Sequence, residues 1–248
     1  MTSDRRRLDE ELVARGLVAT RSRARDLVLR GLVRVGAVPA GKPSLAVGPD
    51  DAVTVDEAAA SHVSRGAEKL IAALDAFGLD PAGRVGLDVG ASTGGFTEVL
   101  LARGAARVYA VDVGRGQLHP RIATDGRVVS LEGRDARSLD AALVPDPVGA
   151  IVSDVSFISL TLALPAALRL AAPGCWLAAL IKPQFEAGRE AVGKGGIVRD
   201  ETAREAAVVK VRDWLAWQIG WRVLGVVASP IEGGSGNREY LIGAMHDG

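Results

Sequence analysis

Cysteine is almost missing from this chain of 248 residues: Cys175 stands alone. A single thiol excludes an intrachain disulfide and a cysteine-rich metal centre. Placed just before an apolar run, it reads as a small buried hydrophobe preceding a strand. Histidine is nearly as scarce, and His62, His119 and His246 have no partners at metal-ligand spacing, so no metal is expected. Net charge is lacking as well, because 30 basic side chains cancel 30 acidic ones. The N-terminus is polar and basic, without the apolar segment of a signal peptide. No apolar stretch runs unbroken for the roughly 20 residues of a spanning helix. The nearest approach, Leu160 to Ile181, is divided by Pro165, Arg169 and the Pro173-Gly174 pair into a short helix, a turn and a buried strand. A cytoplasmic protein without stable membrane association is the expectation.

What is present is unevenly spread. Met1 to Pro49 holds ten Lys or Arg against five Asp or Glu, a local net of +5, which leaves −5 for the remainder. A short basic module joined to a mildly acidic body suits an appended polyanion binder. Leu8, Leu12 and Val13 fall on one helical face ended by Gly16. Thr20 is placed to cap a second helix with Ala24, Leu27 and Val28 inward, stopped by Gly31. Short strands are expected at Leu32 to Val35 and Val53 to Val55. Arg21, Arg23 and Arg25 crowd the first turn of the second helix, where each cation opposes the helix dipole at a cost of about 0.3–1 kcal/mol. Contact with phosphates would offset that cost.

These residues resemble the RNA-binding domain named after small-subunit ribosomal protein S-four. The likeness runs through Arg6-Arg7-Leu8-Asp9, Thr20 to Arg25, Gly31 to Val35 and Lys42-Pro43-Ser44. It implies a small α+β domain over residues 1–57 that grips structured RNA. Arg6, Arg7, Arg21, Arg23, Arg25, Arg30, Arg34 and Lys42 are its candidate contacts. A linker is expected at 58–64 and a second domain at 65–248.

From Arg65 the pattern alternates helix and strand, and strands at Ala150 to Ser153 and Trp176 to Ile181 are nearly continuous apolar runs. Such runs suit parallel strands buried on both faces. The fold expected is α/β, a Rossmann-like, doubly wound, mostly parallel sheet whose last two strands are antiparallel. Its informative loop is Asp88-Val89-Gly90-Ala91-Ser92-Thr93-Gly94-Gly95-Phe96, which leaves the first strand of the sheet and opens a helix. Ligands bind there in doubly wound sheets. Asp112 ends the next strand, where a carboxylate can accept from ribose hydroxyls. Asp88 is unsuited to a pyrophosphate but suits a cationic methionyl group. No Gly-Lys-Ser/Thr ends the loop, which excludes a P-loop, and a dinucleotide would need a second mononucleotide-binding half. S-adenosyl-L-methionine is the favoured ligand, with Asp88, Gly90, Ser92, Thr93, Gly94, Gly95, Phe96, Asp112, Val113 and Asp135 as candidate contacts.

Four more residues are expected at the ligand edge. Asp154 ends the fourth strand, Lys182 ends the fifth, Glu239 starts the last, and Lys69 lies early in the helix before the sheet. The Asn/Asp-Pro-Pro signature of amine methylation is absent, and pyrimidine C5 chemistry would need a nucleophilic cysteine. A ribose hydroxyl is a weak acid and needs a base as methyl arrives. A lysine serves once desolvation or a neighbouring cation makes its neutral form accessible.

In order and context, Lys69, Asp154, Lys182 and Glu239 resemble the Lys-Asp-Lys-Glu tetrad of ribose 2′-O-methyltransferases related to FtsJ. Nearly the whole chain is similar to the TlyA family. The likeness includes Val63 to Leu70, Ser153 to Ser159, Lys182 to Glu186, Gly193 to Asp200 and Ser229 to Gly233. The resemblance implies 2′-O-methylation of cytidine in ribosomal RNA of one or both subunits, and a link to capreomycin susceptibility. It also brings the family's older label of haemolysin, so a membrane-lytic protein and a non-catalytic assembly factor are the alternatives. Where some members have Arg-Ala-Trp-Val in the linker, this chain has Ala60-Ser61-His62-Val63, which puts any coupling through the linker in doubt. The loop from Gln184 to Arg199, with Arg189, Lys194 and Arg199, is expected to close over RNA.

Overall fold

The computed structural model describes residues 5–18, 20–56, 62–233 and 236–248. Residues 58–61 of the expected linker fall outside them. The chain divides into two compact units, Met1–Arg65 and Gly66–Gly248.

The first unit runs β1 (Arg6–Arg7), α1 (Leu8–Ala14), α2 (Arg21–Leu29), β2 (Val33–Val35), β3 (Val38–Pro39), β4 (Ala46–Val47) and β5 (Val53–Val55). β2 pairs antiparallel with β3 and β5, and β1 with β4. The apolar stripes of the two helices meet Val33 and Val47 in a small core built on Leu8, Leu12, Ala24, Leu27 and Val28. The Thr20 hydroxyl accepts from the Arg23 backbone N–H at 3.2 Å, satisfying one orphan donor of α2.

The arginines of this unit do different jobs. Arg7 donates twice to Asp9, at 3.0 and 3.1 Å, and Arg21 reaches the same carboxylate at 3.2 Å. Burial pulls the Asp9 carboxyl up, but the bonds and charges of Arg7 and Arg21 outweigh it and hold it below its ordinary value. Arg6, Arg25, Arg34 and Lys42 are exposed. Arg23 and Arg30 depart from the expected phosphate-facing set. Arg23 is buried and donates to the Val63 carbonyl, and Arg30 donates to the His62 carbonyl at 2.5 Å. Both also face Asp26, at 3.5 and 3.4 Å. The reason is helical spacing: positions 23, 27 and 30 share the face of α2 that Leu27 buries.

The second unit runs α3 (Gly66–Phe77), β6 (Val85–Val89), α4 (Gly95–Ala102), β7 (Arg107–Asp112), α5 (Pro120–Ala123), β8 (Val128–Glu132), β9 (Val148–Ser153), α6 (Leu160–Ala163), α7 (Pro165–Leu168), β10 (Ala171–Ile181), α8 (Pro183–Glu186), α9 (Glu201–Ala216), β11 (Trp221–Ala228) and β12 (Tyr240–His246). The sheet order is β11-β12-β10-β9-β6-β7-β8. Pairings from β10 through β8 are parallel, and β12 is antiparallel to both neighbours. This is the doubly wound α/β sheet expected. Its two faces carry separate cores, one around Leu87, Val89, Ile151 and Leu177, the other around Leu70, Leu100, Val152 and Trp176.

Two local expectations are corrected. Pro173-Gly174 is not a turn before the fifth strand. β10 already pairs at Ala171 and resumes at Trp176 after an irregularity, so Cys175 lies inside the strand, fully buried. Gly174 at φ +75° absorbs the irregularity without ending the strand. Glu239 immediately precedes the last strand rather than starting it; its carbonyl accepts from Ser229 N–H at 2.9 Å where the hairpin opens. Among the described residues no helix is long and apolar enough to cross a membrane.

Because Arg23 fills buried hydrogen bonds, we expect Arg23→Ala to lower unfolding free energy by about 1–3 kcal/mol, the cost of orphaned buried partners. Arg25→Ala, at an exposed position, should change it by no more than about 0.5 kcal/mol. Chemical denaturation of the two variants checks this, and equal losses would contradict it.

Candidate active site at the switch point of the sheet

Strand order reverses between β6 and β9, and the loops leaving these two strands adjoin. The Asp154 N–H donates to the Val89 carbonyl at 3.2 Å. A Cβ on Gly90 would lie 3.1 Å from the Val155 backbone, tighter than ordinary contact, so the neighbouring loop would have to give way to a larger residue. Gly90 and Gly94 also have φ of +88° and +91°, where only glycine is unstrained. The glycines of the loop thus serve its turn and its packing on the neighbouring loop.

Asp112 closes this loop from β7. One oxygen accepts from Ser92 N–H at 2.8 Å and the other from Gly114 N–H at 2.7 Å. Each oxygen keeps a second lone pair for a diol. Glu132, at the end of β8, was not anticipated. It accepts from the N–H groups of Gly116, Gln117 and Leu118 at 3.0, 2.7 and 3.1 Å and so shapes the segment after β7. Burial raises its carboxyl, yet the three donors carry it below its usual value. Val113 is exposed. Asp135 caps a short 3₁₀ turn and is held below its ordinary value by Arg137, whose Nη2 lies 2.5 Å away. The Phe96 ring is buried in the core cluster that also holds Leu100 and Val152.

Asp88 is fully buried. It accepts from the Thr97 hydroxyl at 2.7 Å, and its Oδ1 has no hydrogen-bond partner among the described residues. Burial pushes the carboxyl up from 3.8 to about 7; Thr97 opposes this, and the charges of Asp154 and Asp112 add to it.

The four residues of the expected tetrad are organised as two ion pairs. Lys69 Nζ lies 2.5 Å from Glu239 Oε2, both side chains being buried. Lys182 Nζ lies 2.6 Å from Asp154 Oδ1 and 2.9 Å from Ser156 Oγ. Ser156 gave no signal in the sequence, since a loop serine has no periodicity to betray it. Next to it, Phe157 is 91% exposed at φ +66°, with its ring centroid 5.1 Å from that of Phe185. A non-glycine residue in that region costs about 1–3 kcal/mol. This positive-φ residue directly follows Ser156, which bonds Lys182.

The loop from Gln184 to Arg199 is tethered at both ends. Glu186 is buried near its start. Asn237 accepts from Val198 N–H at 3.0 Å and donates to the Gly196 carbonyl at 2.8 Å, while Arg204 donates to the carbonyls of Val198 and Arg199 at 3.1 and 3.0 Å. Arg189, Lys194 and Arg199 remain exposed.

Residues 62–245 match the FtsJ-like methyltransferase family and residues 6–53 the S4 domain. A Mycobacterium tuberculosis protein named 16S/23S rRNA (cytidine-2′-O)-methyltransferase TlyA is 48% identical over 96% of this chain and 89% of its own. The chain belongs to the TlyA family of FtsJ-like methyltransferases. Hemolysin A of Brachyspira hyodysenteriae is 40% identical over 95% of this chain and 98% of that protein. A solved Streptococcus thermophilus protein described as a hemolysin is 38% identical with a TM-score of 0.74, covering 98% of this chain and 88% of that one. Relatives of this chain thus carry both kinds of name.

The Asp88 carboxyl makes stability depend on pH. The folded state keeps this proton up to about pH 7, whereas the unfolded chain releases it near 3.8. Its contribution is therefore complete at low pH and is lost as pH rises through that interval. We expect Asp88→Asn, measured without ligand, to flatten the fall in melting temperature between about pH 4 and 7. An unchanged slope would show that another group titrates.

Proposed function

We propose that this methyltransferase moves a methyl group from S-adenosyl-L-methionine to the ribose 2′-hydroxyl of a cytidine in ribosomal RNA of the small or large subunit, in the cytoplasm. The observation that carries the reading is the placement of Lys182, buried at the end of β10 with Asp154 and Ser156 on its nitrogen.

The residues present fit the donor. Asp112 offers a free lone pair on each oxygen to the ribose diol, and the orphaned Oδ1 of Asp88 suits the methionyl ammonium. Ser92, Thr93 and the backbone at Gly94 and Gly95 line the turn, with Val113 and Asp135 toward the adenine side. The bound donor supplies an electrophilic methyl on a sulfonium.

What remains for the protein is to align the hydroxyl and take its proton. A neutral lysine nitrogen has two N–H donors and one lone pair. Ser156 Oγ accepts one N–H of Lys182 and the Asp154 carboxylate is ion-paired with the same nitrogen, and in this reading the lone pair meets the ribose hydroxyl. Lys182 is the base in this reading. Lys69, paired with Glu239, orients the ribose. The exposed ring of Phe157 offers a stacking surface for the unpaired base, the usual way single nucleotides are held. The S4 unit docks structured RNA through Arg6, Arg7, Arg21, Arg25, Arg34 and Lys42, and Arg189, Lys194 and Arg199 contact RNA from the loop after Lys182. The reaction itself calls for no metal. The lytic alternative has no support in the described helices, and a non-catalytic assembly factor would have no use for both buried lysine pairs.

We expect Lys182→Ala to leave donor binding near wild type and to cut single-turnover transfer by about two to four orders of magnitude. Lys182→Arg should restore little, because a guanidinium stays protonated. Full activity of the arginine variant would show that charge and alignment suffice. Replacing Arg25, Arg34 and Lys42 together should lower the salt dependence of RNA binding, the slope falling by nearly one for each phosphate that is no longer neutralised. An unaltered slope in a filter-binding titration would place docking on another surface.

A further inference from the structure

Glu186 takes no part in the reaction as described, yet its buried carboxylate is bonded on both oxygens. It ends α8, the short helix that Lys182 opens. Its side chain is only 1% exposed. Oε1 accepts from the Leu160 backbone N–H at 2.7 Å and Oε2 from the Ser159 hydroxyl at 2.5 Å. Ser159 caps α6, so Glu186 fills the orphan donors at the start of that helix. On the far side Lys210 of α9 lies 3.5 Å from the carboxylate and donates to the Glu186 carbonyl at 2.9 Å.

The effect is a cross-brace between two loops. One leaves β9 and carries Asp154, Ser156 and Phe157 before it reaches Ser159. The other leaves β10 and carries Lys182 and Phe185 before it reaches Glu186. The loops meet at the lysine through Asp154 and Ser156, at the ring pair of Phe157 and Phe185, and at Glu186. The first two junctions involve groups that must also accept substrate. Only the third is buried away from it, and it holds the positive-φ segment at Phe157 between fixed ends.

We propose that Glu186 is a positioning residue for methyl transfer, locking the Asp154–Ser159 loop against the segment after Lys182 so that Lys182 keeps Asp154 and Ser156 on its nitrogen. This rests on the reading of Lys182 as the base. A burden of alignment requires hydrogen bonds rather than charge. An amide can still accept from Leu160 N–H, and its NH₂ can donate to a rotated Ser159 hydroxyl.

The test uses the full chain, with donor affinity measured by calorimetry and methyl transfer by single turnover on ribosomal subunits. Glu186→Ala should slow transfer about ten- to a hundredfold while donor affinity stays within about threefold, since misplacement by about an ångström has that effect on rate. Glu186→Gln should return transfer to within about threefold of wild type. Wild-type transfer in Glu186→Ala, a parallel collapse of donor affinity, or failure of glutamine to rescue would each overturn the proposal. Should Glu186→Ala not fold, Ser159→Ala decides the matter: transfer reduced severalfold with donor affinity kept supports the brace, and an unchanged rate refutes it. Lys182→Ala is run alongside. If it transfers at the wild-type rate, the base assignment fails; if it is slow while the brace variants are normal, only the brace fails.

Discussion

Everything in the larger unit depends on β6 and β9 lying side by side although β7 and β8 intervene in the chain. Building outward from β6 in one direction and then returning to build in the other leaves a crevice between the first and fourth strands. The two loops that leave these strands cannot both pass over the sheet at that point. One turns sharply through Gly90 and Gly94, and the other folds back onto it through Asp154 and Val155. The site is where the backbone has no alternative but to open.

Most of the buried charge named above is paired. Removing a lone ammonium or carboxylate from water costs several kcal/mol, so buried charges are tolerated when matched and hydrogen-bonded. Lys69 with Glu239 meets that condition, and Lys182 is ion-paired with Asp154 and hydrogen-bonded to Ser156. Asp88 does not meet it, and burial drives it toward its neutral form.

The smaller unit applies the same physics to a different end. A buried Asp9 holds Arg7 and Arg21 at the surface, and Asp26 holds Arg23 and Arg30 inward. Basic side chains with identical charge therefore divide into structural and surface sets. A count of basic residues overstates the number available to phosphate.

The sequence by itself determined the longer helices and strands, because apolar runs, capping residues and glycines act locally, but not the short elements β1, β3, β4, α5 and α8. It also placed Asp112, Lys182 and Asp154 at strand ends, since a strand's end is legible wherever its apolar run stops. The Lys-Asp-Lys-Glu set was legible through family resemblance. Only the tertiary structure decided which lysine meets which acid, as Lys69 and Glu239 are 170 residues apart. It decided that Phe96 and Arg23 face inward, which charge and loop membership do not reveal. Ser156, Glu132 and Glu186 were invisible for the same reason: each acts through bonds to loop backbone or to a distant side chain. Local pattern encodes which face of an element is apolar, whereas polar contacts between loops depend on how strands are ordered in the sheet.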